Sequence, residues 1–453
     1  MTERACASDT ACSTFGGVPT LHALAHRDFR LFWAGLTVSQ IGSWMQVFAL
    51  GILVVQLAQR DGSVGLAPFY LGLTGLARAI PGLALTIIAG AVADRSDRRR
   101  LLLLTQGVMS VNASLLALVT LAGVVTLFDV MLAAAIQSAA FAFDAPARHS
   151  MLPRIVPARA LSSGIGLQSA AFNGAQVIGP LLAGILFVPL GVAGLLIVNA
   201  ASFLVILFAL VLMRPIPPTT VVHPPVLESV GAGIRYLHGH TRAKWLLALT
   251  ATALFATGSF TALLPAVAGS ETYRGFSWLS LMLSATGLGA LTGSFVLMRF
   301  GRSARAGALY TVAIIFNGAA IVLFALSLRP GFVLLTAFAA GLGGTLMAGL
   351  ANGMLQSAIS DEYRGRVMSF FSFQFIALTP AGQLLIGAVG TALGIHAALI
   401  ASGAVCFVVG VFGVVRVHEV REWRMTRVAP VPEPVQSAAL AGNVTLGDAS
   451  ALR

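Results

Sequence analysis

Apolar stretches long enough to cross a lipid bilayer recur along most of this chain. A transmembrane helix needs about 20 predominantly apolar residues. Of the 453 residues, 57% are hydrophobic and 10% are charged, whereas soluble proteins carry about 25% charged residues. The sequence therefore predicts an all-α membrane protein, and it excludes both a soluble globular protein and a disordered chain, since disordered chains are poor in apolar residues.

The stretches form two groups of six, which predicts twelve transmembrane helices in two six-helix halves. They lie at approximately 31–57, 66–92, 101–122, 127–147, 161–187, 190–213, 245–268, 276–298, 306–328, 331–356, 367–391 and 395–417. We therefore predict an N-terminal segment, a six-helix half, a linker, a second half and a disordered tail. Their bounds are 1–30, 31–213, 214–244, 245–417 and 418–453. Part of the linker, 226–236, is expected to form a short surface helix.

The basic residues predict which ends of the helices face the cytoplasm. Cytoplasmic loops of membrane proteins collect Lys and Arg. If both termini are cytoplasmic, twenty-four of the 28 basic residues fall in cytoplasmic segments and only three in outer loops. This distribution predicts cytoplasmic termini, a cytoplasmic linker and a multi-pass protein of the bacterial plasma membrane. It also explains the formal net charge of +12 without nucleic acid as a partner.

The sequence indicates no cofactor, metal or ATP-driven chemistry. A P-loop needs a Gly-Lys-Ser/Thr run, and the single lysine, Lys244, stands between Ala243 and Trp245. The linker pair His238 and His240 lacks the additional ligands that a zinc site needs. Because two groups of six spans are typical of a duplicated transporter architecture, we expect a transporter rather than an enzyme. Its partners would be a small-molecule substrate, the bilayer and a coupling ion, most simply H⁺, and we expect it to work as a monomer.

A glycine, an aspartate and a run of arginines follow the second span. The run contains Gly90, Asp94, Arg95, Arg98 and Arg99. This spacing resembles the loop 2–3 signature of the major facilitator superfamily, except that Asp97 stands where that family usually has glycine. The resemblance implies that this loop takes part in the conformational switch. As a charge run alone it fits an ordinary basic cytoplasmic loop equally well.

Small residues and one proline recur along the fifth span. They are Gly166, Gly179, Pro180 and Gly184. Small residues let neighbouring helices approach closely, and Pro180 removes one helix hydrogen bond. The spacing resembles the antiporter motif of the same superfamily, with alanine at two of its glycine positions. The resemblance implies export as the direction of transport.

Three further segments narrow the resemblance to one branch. They are His26–Arg30 before span one, Asp144–Arg148 after span four, and the loop 10–11 pair Arg364 and Arg366. They are similar to the enterobactin-exporter and macrolide-efflux-like branch, the transmembrane secretion effectors, over about 22–417. This resemblance implies the major facilitator fold and alternating-access export of small amphiphilic molecules of drug, macrolide or siderophore type. Uptake on the same fold is the alternative. A membrane sensor or scaffold is a weaker one.

Asp144 is the strongest candidate for a proton carrier. Proton-coupled pumps commonly use a carboxylate embedded in the membrane, and most acidic residues here lie in loops or termini. Asp129 lies just inside the outer end of span four, and Asp144 lies about three residues inside its cytoplasmic end. The alternative for Asp144 is a structural ion pair with Arg148, four residues later.

Arg78 lies near the middle of the second span. Each end of the span is about 18–21 Å away at the helical rise, too far for the side chain to reach water at the surface. A charged side chain at the middle of the bilayer costs about 2.5–3.5 kcal/mol of free energy, so such a residue normally faces a water-filled cavity or pairs with another group. We expect Arg78 to face the substrate cavity, with pairing to backbone carbonyls near Pro81 as the alternative. A cavity with an unpaired arginine would favour anionic or oxygen-rich substrates.

Uncharged polar residues in the spans complete the predicted substrate cavity. Ser39, Ser43 and Gln46 form a one-sided stripe on span one, which usually faces the bundle interior or a cavity. Further candidates are Gln137, Gln168, Gln176 and Gln374. Hydrogen bonding between helices is the alternative for each of them.

Overall fold

The computed structural model describes residues 19–214, 237, 239–258, 260–269, 277–300, 305–327, 329–359 and 361–424, and all regular structure in these ranges is helical. A 3₁₀ helix, Pro19–Ala25, precedes the first half. That half contains α1 (Arg27–Arg60), α2 (Ala67–Arg95), α3 (Arg98–Leu121), α4 (Leu127–Ile155) and α5 (Ala158–Leu212).

The second half is built from shorter elements. It contains α6 (Thr241–Thr257), α7 (Phe260–Ala268), α8 (Ser277–Phe300), α9 (Ala306–Leu326), α10 (Pro330–Ala358), α11 (Asp361–Phe373), a π-helical turn (Gln374–Leu378), α12 (Thr379–Leu393), α13 (Ile395–Arg416) and α14 (His418–Arg421). Ten helices of the described ranges are long and apolar enough to cross a membrane. The all-helical membrane architecture is therefore confirmed.

Gly191 divides α5 into two helical parts, 158–190 and 192–212, which can run in opposite directions. Its φ of 63° and ψ of −171° break the helix, and this left-handed region favours glycine because a Cβ is disfavoured there. A Cβ at Gly191 would meet nothing within 4 Å, so the backbone conformation rather than packing requires glycine. The predicted fifth and sixth spans are therefore joined without an intervening loop.

Two sequence-based boundaries are wrong. Helix α4 continues to Ile155 rather than ending near 147, and it contains Pro146 and Pro153 within its length. The predicted disordered tail begins with ordered residues: Gly307 N donates to Trp423 O at 3.1 Å, and Trp423 is buried. The physical reason is an apolar contact, because Val420 and Trp423 join the core of the second half. The predicted linker helix lies outside the described residues.

The two halves meet through close backbone approaches at one end of the bundle. We call the end that carries residues 95–98 and 155–158 the linker side, and the opposite end the distal side. A Cβ on Gly51 of α1 would lie 2.4 Å from Pro265 of α7, and one on Gly387 of α12 would lie 2.4 Å from the Pro68 carbonyl oxygen of α2. These contacts lie in the distal parts of their helices. The structure is therefore closed at the distal side.

Substituting Gly387 tests this close approach. We expect Gly387→Ala to force α2 and α12 apart, with a cost of about 1–3 kcal/mol, as for other overpacked contacts. The melting temperature of the purified protein in detergent should fall by several degrees. The matched control is Gly331→Ala, because a Cβ there meets nothing within 4 Å. Equal melting temperatures for the two variants would contradict the close approach.

Candidate functional site

A cavity of ≈ 540 Å³ opens between three helices of the first half. Helix α1 contributes Leu36 and Gln40, α4 contributes positions from Phe141 to Pro153, and α5 contributes positions from Leu161 to Asn173. On α4 and α5 the lining positions recur every three or four residues, which places them on one face of each helix. The cavity extends from the linker side toward the middle of the bundle.

A buried ion pair lies directly behind the cavity wall. Arg148 Nη2 lies 2.5 Å from Asp144 Oδ2, and the Asp144 side chain is fully buried. Asp144 Oδ1 accepts hydrogen bonds from Gln106 Nε2 at 2.7 Å and from Thr105 Oγ1 at 3.2 Å. Ser39 Oγ donates to Gln106 Oε1 at 3.3 Å and extends the network to α1. These contacts compensate the cost of a buried carboxylate.

Arg148 separates Asp144 from the cavity. Arg148 lines the cavity, whereas Asp144 does not. The guanidinium carbon of Arg148 lies 5.3 Å from the centre of the Phe141 ring, a cation–π contact. Arg148 Nε has no hydrogen-bond partner among the described residues. Arg148 is therefore the member of the ion pair that a molecule in the cavity can contact.

The structure corrects the depth expected for Asp144 and shows its pairing. Because α4 extends to Ile155, Asp144 lies about 16 Å from the linker-side end of the helix at 1.5 Å per residue, not a few residues inside it. The ion pair with Arg148, the alternative at the sequence level, is present. Asp129 instead forms a capping box with Thr126 at the distal start of α4. Asp144 is thus the more deeply embedded of the two.

Arg78 lies beside the boundary between the halves. Its side chain is exposed, and none of its donors bonds to a described residue. Gly75, three residues before it, faces Gln383 of α12. Gly82, four residues after it, lies between Ser138 of α4 and Ile376 of the second half. Residues at these spacings share one side of a helix, so Arg78 lies on the side of α2 that faces the second half.

The polar stripe of α1 packs inside the first half in this structure. Ser39 bonds to Gln106, Ser43 Oγ donates to Ser39 O at 2.9 Å, and Asn199 donates to Gln46. The role of the three residues in a substrate cavity stays a prediction, and none of them lines the cavity described above. The reason is rotational: Gln40, one position from Ser39, is the α1 amide that lines it. In the sequence, a polar stripe that faces a water-filled cavity cannot be distinguished from one that contacts other helices.

The remaining glutamines divide between the cavity and the helix contacts. Gln168 lines the cavity together with Ser169 and Asn173. Gln374 is buried, and its Nε2 donates to Leu247 O at 3.0 Å. The side-chain oxygen of Gln137 is buried without a hydrogen-bond partner among the described residues. The side chain of Gln176 is partly buried.

Asp97 caps the start of α3, and the two arginines after it bond to other helices. Asp97 accepts from the backbone N–H groups of Arg99 and Arg100 at 2.9 and 3.3 Å, so the residue that departs from the family pattern is a helix N-cap. Arg98 Nε donates to Ser150 Oγ at 3.0 Å, and Arg99 bonds to the carbonyl oxygens at the end of α5. The structure describes the helical backbone, but not the side chains, of Asp94, Arg95, Arg364 and Arg366. The backbone of Gly90 is also helical.

The motif of the fifth span forms part of the contact between the halves. Ser280 Oγ of α8 donates to the Pro180 carbonyl oxygen at 2.7 Å, and a Cβ on Gly184 would lie 2.2 Å from that Oγ. Gly179 packs instead within the first half, where a Cβ would lie 2.5 Å from Trp44 Cβ. A Cβ on Gly166 would meet nothing within 4 Å, so the close contact expected there is absent from the described residues.

A second serine and a glycine continue this contact. Ser284 Oγ donates to Val177 O at 3.3 Å, and a Cβ on Gly287 would lie 2.8 Å from Gln176 O. Proline at position 180 has no N–H, so the Gln176 carbonyl lacks its normal helix partner and is free to meet α8. The proline thus frees the Gln176 carbonyl, against which Gly287 of α8 packs, and two serines of α8 donate to neighbouring carbonyl oxygens of α5.

Basic residues surround the linker-side end of the first half. Partial burial, together with the nearby charges of Arg159 and Arg30, lowers the pKa of His26 at the start of α1. His26 is therefore neutral at pH 7, and the positive potential at this rim comes from the arginines. Such a potential raises the local concentration of anions.

The family model described as transmembrane secretion effector matches residues 18–445. The chain belongs to the transmembrane secretion effector family. It is accordingly a membrane transporter of the major facilitator type and not an enzyme.

Curated relatives are similar over nearly their whole length. The macrolide efflux protein A of Streptococcus pyogenes is 22% identical over 84% of this chain and 94% of its own length. The multidrug efflux pump Tap of Mycolicibacterium fortuitum is 25% identical over 85% of this chain and 94% of its own. The enterobactin exporter EntS of Shigella boydii is 25% identical over 88% of this chain and 94% of its own.

Solved structures share the fold. A bacterial homologue of the human lysosomal transporter Spinster, in an inward-facing and unoccupied conformation, superposes with a TM-score of 0.70 at 14% identity, covering 88% of this chain and 99% of that chain. The nucleoside transporter NupG superposes with a TM-score of 0.67 at 13% identity, covering 84% of this chain and 99% of that chain. At these identities the similarity concerns the fold alone.

Removing the Ser280 hydroxyl tests the distal contact. Ser280→Ala leaves the Pro180 carbonyl without its donor, at a cost of about 1 kcal/mol or a roughly fivefold shift in population. Spin labels at Val64 and Leu393, exposed distal positions of the two halves, should report a larger fraction of distally open molecules. Ser294→Ala on the same helix is the control, because Ser294 bonds only to Ala290 O of α8. No difference between the variants would exclude Ser280 from the contact.

Proposed function

We propose that this protein is a secondary-active exporter of small amphiphilic molecules that works by alternating access in the bacterial plasma membrane. The observation that carries the proposal is the asymmetry of the bundle: the halves meet at the distal side, and the cavity extends from the linker side. The names of the relatives, which refer to macrolide efflux, multidrug efflux and enterobactin export, support export as the direction.

The proposal includes twelve membrane spans with both termini in the cytoplasm. Ten candidate spans are long and apolar enough to cross the membrane. One of them lies in Ala158–Leu212, which Gly191 divides, so this element supplies two passes instead of one. Ala67–Arg95, which is not among the ten, is long enough to add the twelfth. The excess of basic residues on the linker side supports a cytoplasmic location for that side. On this orientation the structure represents an inward-facing state, ready to take substrate from the cytoplasm. We further propose that the monomer is the functional unit.

Direction can be tested with inside-out vesicles that contain the protein. An exporter accumulates substrate in such vesicles, whereas an uptake carrier, the alternative, accumulates it only in right-side-out vesicles. A macrolide, a siderophore and a cationic dye should be screened with and without a pH gradient. Accumulation confined to right-side-out vesicles would refute export. Absence of movement of all three in either orientation would count against transport of these classes.

Proton coupling through Asp144 is part of the proposal. The ion pair with Arg148 requires an ionised Asp144, so protonation would release Arg148 into the cavity and change the binding surface. We expect Asp144→Asn to abolish accumulation driven by a pH gradient, while substrate binding remains measurable. The control is Asp129→Asn, which removes an acidic residue held in a distal capping box. If Asp144→Asn still accumulates substrate against the gradient, the proton carrier is another group or the ion is not H⁺.

Arg78 makes the boundary between the halves electropositive, so we propose that it favours anionic or oxygen-rich substrates. Arg78→Lys keeps the charge and Arg78→Met removes it at similar bulk. We expect the lysine variant to retain most of the affinity for an anionic substrate and the methionine variant to lose about tenfold, as for one charged hydrogen bond. Equilibrium dialysis of folded, purified variants measures this. Unchanged affinity in Arg78→Met would remove Arg78 from substrate binding.

A further inference from the structure

Two exposed aromatic rings lie at the inner end of the cavity. Phe141 of α4 and Phe172 of α5 both line it, and they are 47% and 45% exposed. Helix α4 ends at Ile155 and α5 begins at Ala158, on the same side of the bundle. Each phenylalanine is fourteen residues from that end of its helix, which places both rings at a depth of about 21 Å. The two rings therefore belong to one level of the cavity.

Each ring contacts a further side chain. The Arg148 guanidinium contacts Phe141 at 5.3 Å, and the Trp44 ring makes an edge contact with Phe172 at a centroid distance of 6.4 Å. Neither partner fills the cavity, because both phenylalanines remain exposed to it. Such rings offer a flat surface at little cost in side-chain entropy.

Side-chain amides without partners lie at and near the same level. Gln40 of α1 is thirteen residues from the start of its helix, a depth of about 20 Å. Asn173 follows Phe172 directly, and Gln168 lies one turn closer to the linker side. None of the three amides hydrogen-bonds through its side chain to a described residue. Each can donate two hydrogen bonds to oxygen atoms of a ligand.

The charges of the cavity wall exclude one class of ligand. Among its lining residues only Arg148 and His149 are ionisable, and the nearby carboxylate, Asp144, lies behind Arg148. A cationic ligand would therefore find no counter-charge on the wall. An aromatic ring between Phe141 and Phe172, with oxygen atoms toward the amides, would contact both rings and the amides that have no partner among the described residues.

We propose that the inner end of this cavity is a binding slot for a planar aromatic group that carries oxygen acceptors and is neutral or anionic, held between Phe141 and Phe172 and hydrogen-bonded by Gln40, Gln168 and Asn173. This inference rests on the proposed transport function and names the substrate class for it. Stacking selects flat rings over saturated rings of equal size, because aromatic pairs gain free energy beyond the area they bury.

The test compares two carboxylates with the same ten-carbon skeleton, 2-naphthoate and trans-decalin-2-carboxylate. The full-length protein in lipid nanodiscs is dialysed to equilibrium against each, and binding to empty nanodiscs is subtracted. We expect the naphthoate to bind about tenfold more tightly, in keeping with two stacking contacts. Equal affinities, or tighter binding of the decalin acid, would overturn the aromatic slot and indicate a general apolar cavity.

Variants locate the preference at the two rings. Phe141→Leu and Phe172→Leu should each lower the naphthoate affinity several-fold and change the decalin affinity by less than twofold. The control is Phe208→Leu, since Phe208 is 66% exposed and does not line this cavity. A preference that survives both slot variants would refute the assignment. Because dialysis does not depend on transport, a loss of vesicle transport with intact aromatic preference counts against the proposed function alone, and the reverse result counts against the slot alone.

Discussion

Helices in a bilayer gain no hydrophobic free energy by leaving lipid for one another, so association depends on close packing and hydrogen bonds. The boundary between the halves follows this constraint. At Gly387 and Gly184 the neighbouring atoms leave no room for a Cβ, and Ser280 bonds to a backbone oxygen across the boundary. Each of these contacts is worth only a small amount of free energy. A boundary built from small increments can close firmly and still open within the transport cycle.

The interior of the first half obeys a different constraint, the cost of a buried charge. Asp144 is held by Arg148, Gln106 and Thr105 from two helices, and breaking one buried partner costs more than the pair contributes. The proposed proton coupling would act on this pair, because protonation of Asp144 removes the charge that holds Arg148. Arg148 also forms part of the cavity wall. In this proposal, Arg148 is therefore the side chain through which the charge of Asp144 would affect substrate binding.

Periodicity and composition predict the helical membrane architecture and the two-part plan, because both depend on residue type and spacing. The four-residue spacing also offers the pairing of Asp144 with Arg148 as the alternative to a proton carrier, and this ion pair is present. The spacing of residues does not show which side of a helix faces the cavity. The Ser39 stripe and Gln40 are adjacent in sequence, yet the stripe faces other helices and Gln40 faces the cavity. The end of α4 also differs, because the apolar stretch ends near 147 whereas the helix continues to Ile155, where Leu152 packs in an apolar cluster.

The position of Pro180 shows how the two constraints meet. A proline inside a helix leaves a carbonyl without its N–H partner, and in lipid such a group must find another partner. Here the second half provides that environment: Gly287 lies against the Gln176 carbonyl, and Ser280 and Ser284 donate to the oxygens of Pro180 and Val177. When the halves separate at this end, the Gln176 carbonyl loses the cover of Gly287, whereas the Pro180 and Val177 oxygens keep the N–H donors of their own helix. Water between α5 and α8 would then hydrate the Gln176 carbonyl, which links the backbone chemistry of one proline to hydration of this boundary.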